Sequence, residues 1–151
     1  MLEVDSLTRV LPGFEMRGVT FSVEDGGYFV LLGASGTGKS VLLETQTGIQ
    51  RPDSGRIVLD GKDITYEKMQ KRRIALVFQD QALFPHMTVE KNIAYGLSAA
   101  GCSSGEIRSR VADVADRTGI GHLLGRRAPT LSGGEAQRVA LARAVVTDPS
   151  L

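Results

Sequence analysis

The sequence predicts an α/β fold in which strands and helices alternate through the first half and helices dominate the second. Three observations carry that expectation. Two apolar runs, "YFVLL" (28–32) and "IALVF" (74–78), have the length and composition of buried strands. A glycine-rich loop separates the first run from a helical stretch. After Gln79 the apolar spacing turns helical, and capping residues stand ahead of two of the segments.

The elements follow in chain order. Leu2 and Val4 alternate with polar neighbours, as do Val19, Phe21 and Val23, which predicts half-buried strands. "EDGG" (24–27) turns the chain into the apolar run 28–32, a buried strand. "KSVLLETQT" then forms a short helix with Gly48 as its C-terminal cap. "RPDSG" (51–55) leads into a strand at "RIVLD" (56–60), and the run 74–78 is a further strand ending at Gln79. Val89, Ile93, Gly96 and Leu97 share one helical face. Ile107, Val111, Val114 and Ala115 share another, preceded by Ser103 and Glu106 at capping-box spacing. The last helix starts at "SGGE" and runs to about Thr147.

Composition narrows the function classes. A net charge of +1, from 18 basic and 17 acidic residues, gives no overall pull toward nucleic acid or anionic lipid, so a nucleic-acid partner is not expected. No stretch of about 18 apolar residues exists to span a bilayer, and "MLEVDSLTRV" has neither the basic start nor the apolar core of a signal peptide. A single cysteine, Cys102, leaves no internal disulfide and suits a reducing compartment; its expected role is a small residue in a loop. The cytoplasm is the expected location. His86 and His122 have no second metal-type residue at useful spacing and are expected at the surface or in packing.

"GASGTGKS", Gly33 to Ser40, matches the phosphate-loop pattern G-x-x-x-x-G-K-[ST] in full, between a predicted strand and a predicted helix. The plain alternative is a glycine-rich turn with an incidental lysine. Glycines at 33, 36 and 38 let the backbone curl so that its N–H groups converge on phosphate oxygens, and the positive end of the following helix adds to the attraction. Lys39 would reach the β- and γ-phosphates. Ser40 would offer its hydroxyl to Mg²⁺, a hard cation that takes few protein ligands beside phosphates and water.

"LSGGEAQR", Leu131 to Arg138, carries Ser132 and Glu135 at capping-box spacing, which alone marks an efficient helix start. Ser132 and the N–H groups of Gly133 and Gly134 at that start would form a cradle for a γ-phosphate. With the phosphate loop, "PDSGRIVLDGKDIT" and "VFQDQALFPHMTVEKNIAYGL", the chain resembles, over essentially all 151 residues, the ATP-binding subunits of ABC transporters. Their signature is LSGGQ-like and reads LSGGE here.

The resemblance implies a P-loop NTPase core with an N-terminal antiparallel β subdomain and an inserted α-helical subdomain. Residues 1–80 would be the β subdomain and phosphate-loop half of the core, and 81–151 the helical subdomain with the signature helix. ATP would contact Gly33, Ala34, Ser35, Gly36, Thr37, Gly38, Lys39, Ser40 and Val41. It would also meet Gln79 and, from a second ATP-binding subunit packed head to tail, Ser132, Gly133, Gly134 and Glu135. Lys39, Gln79 and Ser132, the last in trans, would carry catalysis; Ser40 and Gln79 would hold Mg²⁺. "ALFPHM" would lie against a coupling helix of transmembrane permease subunits, with a solute-binding protein as indirect partner, at the cytoplasmic face of the plasma membrane. Such subunits stack an aromatic on adenine where this chain has Val10 and Leu11; Phe14 is the nearest aromatic.

In the resembled family "ARAVVTDPSL" is followed by a buried strand ending in an aspartate and a glutamate, the Walker B pair. The chain therefore reads as the N-terminal part of a longer ATPase, inactive alone. "LFPHMTVEKNIAYGL" most resembles importers of oxyanions such as molybdate or tungstate, with sulfate, polyamine and sugar importers close behind. Two other readings stay open: a soluble ABC-type ATPase not tied to transport, and a non-catalytic nucleotide-binding fragment.

Overall fold

The alternating residues at the N-terminus fold into a hairpin with one face inward. In the computed structural model, which describes residues 1–151, the chain divides into two units, Met1–Ile74 and Ala75–Leu151. In the first, β1 (Leu2–Leu11) and β2 (Phe14–Val23) pair antiparallel, and β3 (Ser54–Leu59) pairs antiparallel with the other edge of β1. A two-residue strand, β4 (Lys62–Asp63), completes the sheet order β2-β1-β3-β4. Leu2 and Val4 are buried while Glu3 and Asp5 are exposed, the period of two that a one-sided sheet requires. The register shifts between Val4 and Leu7, and this bulge returns Leu7 to the inner face.

That face packs with Met16, Ile57, Leu59 and Ile64, and also with Leu42 of α1 (Lys39–Thr47). Each such side chain contributes about 1.5–3 kcal/mol when fully buried, so Leu42 fixes the phosphate-loop helix to the sheet. The far end of α1 is held differently. Arg72 is 3% exposed, and all of its recorded hydrogen bonds go to backbone carbonyls. Nη1 donates to Thr45 and Gln46 at 2.9 and 2.8 Å, Nη2 to Thr65 at 2.9 Å, and Nε to Glu67 at 3.0 Å. The last carbonyls of a helix lack internal partners and carry the negative end of its dipole, which a buried cation satisfies on both counts. Burial pushes the guanidinium pKa down from its ordinary value. Gly48 caps the helix at φ +84°, and a Cβ there would lie 2.6 Å from Arg72 Nε. The expected glycine cap is therefore both a turn and a clearance.

Two expected strands do not form. Residues 27–34 and 74–78 carry no strand assignment, and Tyr28, Val30 and Leu32 are 94, 56 and 88% exposed rather than buried. The apolar runs are real, but a buried parallel strand is made by ladder partners on either side, and neither run has one within residues 1–151. Phe29 stacks on Phe21 at 4.7 Å and Leu31 packs on the core, which anchors the first run by side chains alone. In the second run Ala75 donates its N–H to the carbonyl of Leu151 at 2.8 Å. The phosphate loop thus follows an unpaired segment, not the strand that its pattern implies.

The second unit is helical, as the spacing predicts. α2 (Val89–Ala99), α3 (Ser104–Arg117) and α4 (Gly133–Val145) bury Val89, Ile93 and Leu97 against Val111, Val114, Ala115, Val139 and Ala142, with Ile120 and Leu123 from the connection. The first-turn N–H groups of α2 all find acceptors: Val89 on Arg126, Glu90 on Leu124 and Lys91 on the Thr88 hydroxyl. Ser103 and Glu106 form the expected capping box of α3. Cys102 lies half-buried between α2 and α3.

Because Arg72 satisfies four carbonyls, three of them in buried bonds, Arg72→Met is expected to destabilise the first unit by about 2–4 kcal/mol. Lysine, lacking the planar fork, should recover less than half of the loss. Chemical denaturation followed by circular dichroism checks both; a cost for Arg72→Met within about 0.5 kcal/mol, as at an ordinary surface site, would contradict this role.

Candidate nucleotide-phosphate site

The glycine-rich loop reaches α1 through Gly38, which takes φ +90° and offers no side chain to cap the helix. The first helical acceptor bond runs from Leu42 N–H to the Gly38 carbonyl at 2.9 Å. The three preceding N–H groups, of Lys39, Ser40 and Val41, have no acceptor in the chain. Gly33 to Thr37 are exposed, so these donors face solvent at a positive helix end. Thr37 braces the loop by donating its hydroxyl to the Ala34 carbonyl at 2.9 Å. Lys39 curls over it, with Nζ 2.7 Å from the carbonyls of both Gly33 and Ala34. The loop's own oxygens hold the Lys39 ammonium. An anion with several oxygens would find point charge and N–H groups together.

Phe14 lies beside the phosphate loop. Its ring lies against Gly38, where any Cβ would overlap it, and the side chain also packs on the sheet core. Val10 is 43% exposed on β1. Sequence spacing named Phe14 as the nearest aromatic; its contact with the loop glycine has no local sequence signal, because it joins residues 24 positions apart.

Ser40 is exposed and its hydroxyl makes no hydrogen bond within the chain, and Gln79 is exposed directly after the unpaired run 74–78. Both offer neutral oxygens, the hard donors that suit Mg²⁺, but neither Ser40 nor Gln79 could hold the ion without phosphate and water oxygens. No group of three or more His, Cys, Asp or Glu side chains is arranged to bind a metal by itself. Each hydroxyl or amide oxygen by itself suits only a cation that arrives with its phosphates.

In the second unit, Ser132 is the N-cap of α4 and Glu135 completes the capping box. The Ser132 hydroxyl accepts from Glu135 N–H at 3.4 Å, and Glu135 Oε2 accepts from Ser132 N–H at 2.7 Å. Arg126 lies 3.3 Å from Glu135 Oε1 and also donates to the Thr130 carbonyl. Gly133 and Gly134 are exposed, with N–H groups that have no acceptor in the chain. The Ser132 backbone and hydroxyl bonds, followed by Arg126 and His122, hold the Glu135 carboxyl below its ordinary range. His86 sits beside Phe84, with ring centroids 6.2 Å apart, and both histidines are exposed.

The class of protein follows from this combination of a phosphate loop opening a helix and a glycine-pair helix start behind a capped serine. A family profile described as ABC transporter matches residues 16–151. The chain belongs to the ABC transporter family. It is 49% identical over 151 residues to the molybdate/tungstate import ATP-binding protein WtpC of Pyrococcus abyssi, covering all of this chain and 44% of that protein. Against the sulfate/thiosulfate import ATP-binding protein CysA of Thermosynechococcus vestitus it is 41% identical, covering 99% of the chain and 45% of that protein. The chain thus spans less than half the length of these two relatives. Among solved structures, cbiO1 of Clostridium perfringens, part of the ABC transporter complex cbiONQ, matches with a TM-score of 0.85 and 34% identity over 98% of this chain and 62% of that one. The ABC ATPase fold is therefore present despite the two unformed strands.

The capping box gives a pH expectation. Glu135's native pKa lies below its ordinary 4.5, so its contribution to the start of α4 is complete above pH 4.5 and is lost as pH falls through the depressed native value. Amide exchange at Ser132, Glu135 and Ala136, whose N–H groups are bonded in the capped turn, should rise in that acid window in the wild type. In Glu135→Gln, whose amide oxygen still accepts but does not titrate, the added acid sensitivity should vanish; an equal rise in both proteins would contradict the assignment.

Proposed function

We propose that this chain is the phosphate-gripping and signature-bearing part of an ATPase subunit that powers solute uptake by an ABC importer. One observation carries the reading: α1 opens with three acceptor-free N–H groups beside the Lys39 ammonium, in a loop whose sequence matches the phosphate-loop pattern in full. ATP is the ligand, held by residues Gly33 to Val41. On binding, Lys39 exchanges the Gly33 and Ala34 carbonyls for β- and γ-phosphate oxygens, a charge-assisted contact stronger than the one it leaves. Ser40 and Gln79 would hold Mg²⁺, which supplies charge neutralisation at the phosphates.

Ser132, Gly133, Gly134 and Glu135 of a second subunit would close the other side of the γ-phosphate. Their exposed N–H groups at a helix start suit an anion, and the capping box keeps Ser132 in place. Glu135 serves by fixing that start, since a carboxylate cannot itself grip phosphate. Gln79 would orient the attacking water. Phosphoryl transfer draws nearly all of its acceleration from positioning and electrostatics, which is what these groups provide.

The names of the WtpC and CysA relatives, each an import ATP-binding protein, support an importer, and WtpC supports an oxyanion of the molybdate/tungstate class as cargo. No helix is long and apolar enough to cross a membrane, so attachment at the cytoplasmic face would come through permease subunits, with a solute-binding protein delivering the cargo.

Lys39→Ala should weaken Mg-ATP binding by about 1.5–3 kcal/mol, the worth of a hydrogen bond to a charged group; an unchanged dissociation constant in a fluorescent-nucleotide titration would remove the phosphate-loop assignment. In the full-length protein, Ser132→Arg should leave ATP binding by a single subunit intact and abolish ATP-driven pairing and hydrolysis. Loss of single-subunit affinity with pairing preserved would reverse the trans assignment.

A further inference from the structure

The segment after Gln79 takes an unfavourable conformation in which the Gln81 and Ala82 N–H groups bond to Phe78 and Asp80, and one side chain from α4 holds its carbonyls. Gln81 and Ala82 take φ +57° and +44°, consecutive left-handed positions for residues that carry a Cβ. Arg143 reaches both: Nη1 donates to the Ala82 carbonyl at 2.7 Å and Nη2 to the Gln81 carbonyl at 2.9 Å. The planar guanidinium also lies over the Phe84 ring, 5.5 Å from its centroid. Phe84 in turn is fixed from α2, where the fully buried Asn92 accepts from its N–H at 2.8 Å and donates to its carbonyl at 3.1 Å. The Gln81 side chain donates to the Gln79 carbonyl at 3.2 Å, which extends the clamped region back to Gln79 itself.

We propose that Arg143 is a positioning residue that ties the Gln79 segment to the signature helix, so that movement of Ser132 and the setting of Gln79 occur as one event. Ser132 caps the N-terminus of α4 and Arg143 sits in its last turn. The helix between them is a single 13-residue rod. Whatever shifts the start of that rod carries the Gln81 and Ala82 carbonyls with it through two charge-assisted bonds. Asn92 supplies the fixed end, so the strained pair at 81 and 82 is the place where the segment can yield. This inference rests on the proposed ATPase function. It adds a residue that contacts neither nucleotide nor the attacking water.

The test uses the full-length protein and compares wild type, Arg143→Met, Arg143→Lys, Gln79→Ala and the double variant Gln79→Ala/Arg143→Met. Arg143→Met should leave Mg-ATP affinity of a single subunit within about twofold, because the phosphate loop lies in the other unit, and should lower kcat at least about tenfold with little change in KM. Arg143→Lys keeps the charge but lacks the planar fork that aims two separate N–H groups at the carbonyls while lying over Phe84, so it should recover only part of kcat. The double variant should turn over no more slowly than Gln79→Ala alone, since Arg143 acts through that residue. Additive losses, or an unchanged kcat in Arg143→Met, would overturn the proposal while leaving the ATPase reading intact. A wild type that binds no Mg-ATP would overturn the ATPase reading and this one with it. Should Arg143→Met fail to fold, Arg143→Lys alone and combined with Gln79→Ala decides by the same comparison.

Discussion

A helix begins with N–H groups that nothing in the helix can accept, and the uses of this chain follow from where it satisfies them and where it does not. At α2 all three first-turn donors are consumed, by the carbonyls of Arg126 and Leu124 and by the Thr88 hydroxyl, and that end is purely structural. At α1 the cap is a glycine with no side chain, and the donors of Lys39, Ser40 and Val41 are left open toward solvent. α4 is intermediate, with Ser132 and Glu135 serving each other while Gly133 and Gly134 stay free. Open donors at a positive helix end constitute a demand for an anion.

Such a demand is useful only if the helix cannot move to satisfy itself, and the first unit prevents this at both ends of α1. Leu42 is buried in the sheet core near its start, and Arg72 grips its last carbonyls from within the protein. Phe14 closes against Gly38 from β2, so the loop can rearrange only on its open side. The sheet is thus less a scaffold for catalysis than a fixed bed for one helix. The second unit treats α4 in the same way, through Val139 and Ala142 in its core and Arg143 at the Gln79 segment.

Sequence made the local features legible and left the distant ones hidden. Capping boxes at Ser103 and Ser132, the glycine cap at Gly48 and the helical faces of α2 and α3 are determined within a few residues, and each forms as expected. The phosphate-loop pattern likewise states its backbone needs in eight letters. The runs 28–32 and 74–78 misled because apolar composition reports a wish for burial, whereas a strand exists only with a partner beside it. Arg72, Asn92 and Arg143 were illegible for the converse reason. Each is a polar residue inside a helical or loop pattern, and its importance lies in carbonyls that the chain brings near only on folding.

Backbone amide exchange over residues 33–42, measured with Mg-ATP and with adenosine, tests the central claim most directly. If the open donors of α1 receive phosphate, Mg-ATP should protect the amides of Lys39, Ser40 and Val41 strongly, and adenosine, which has the base and sugar without phosphates, should leave them unchanged. Equal protection by both ligands, or Mg-ATP protection that spares Lys39, Ser40 and Val41, would contradict the account.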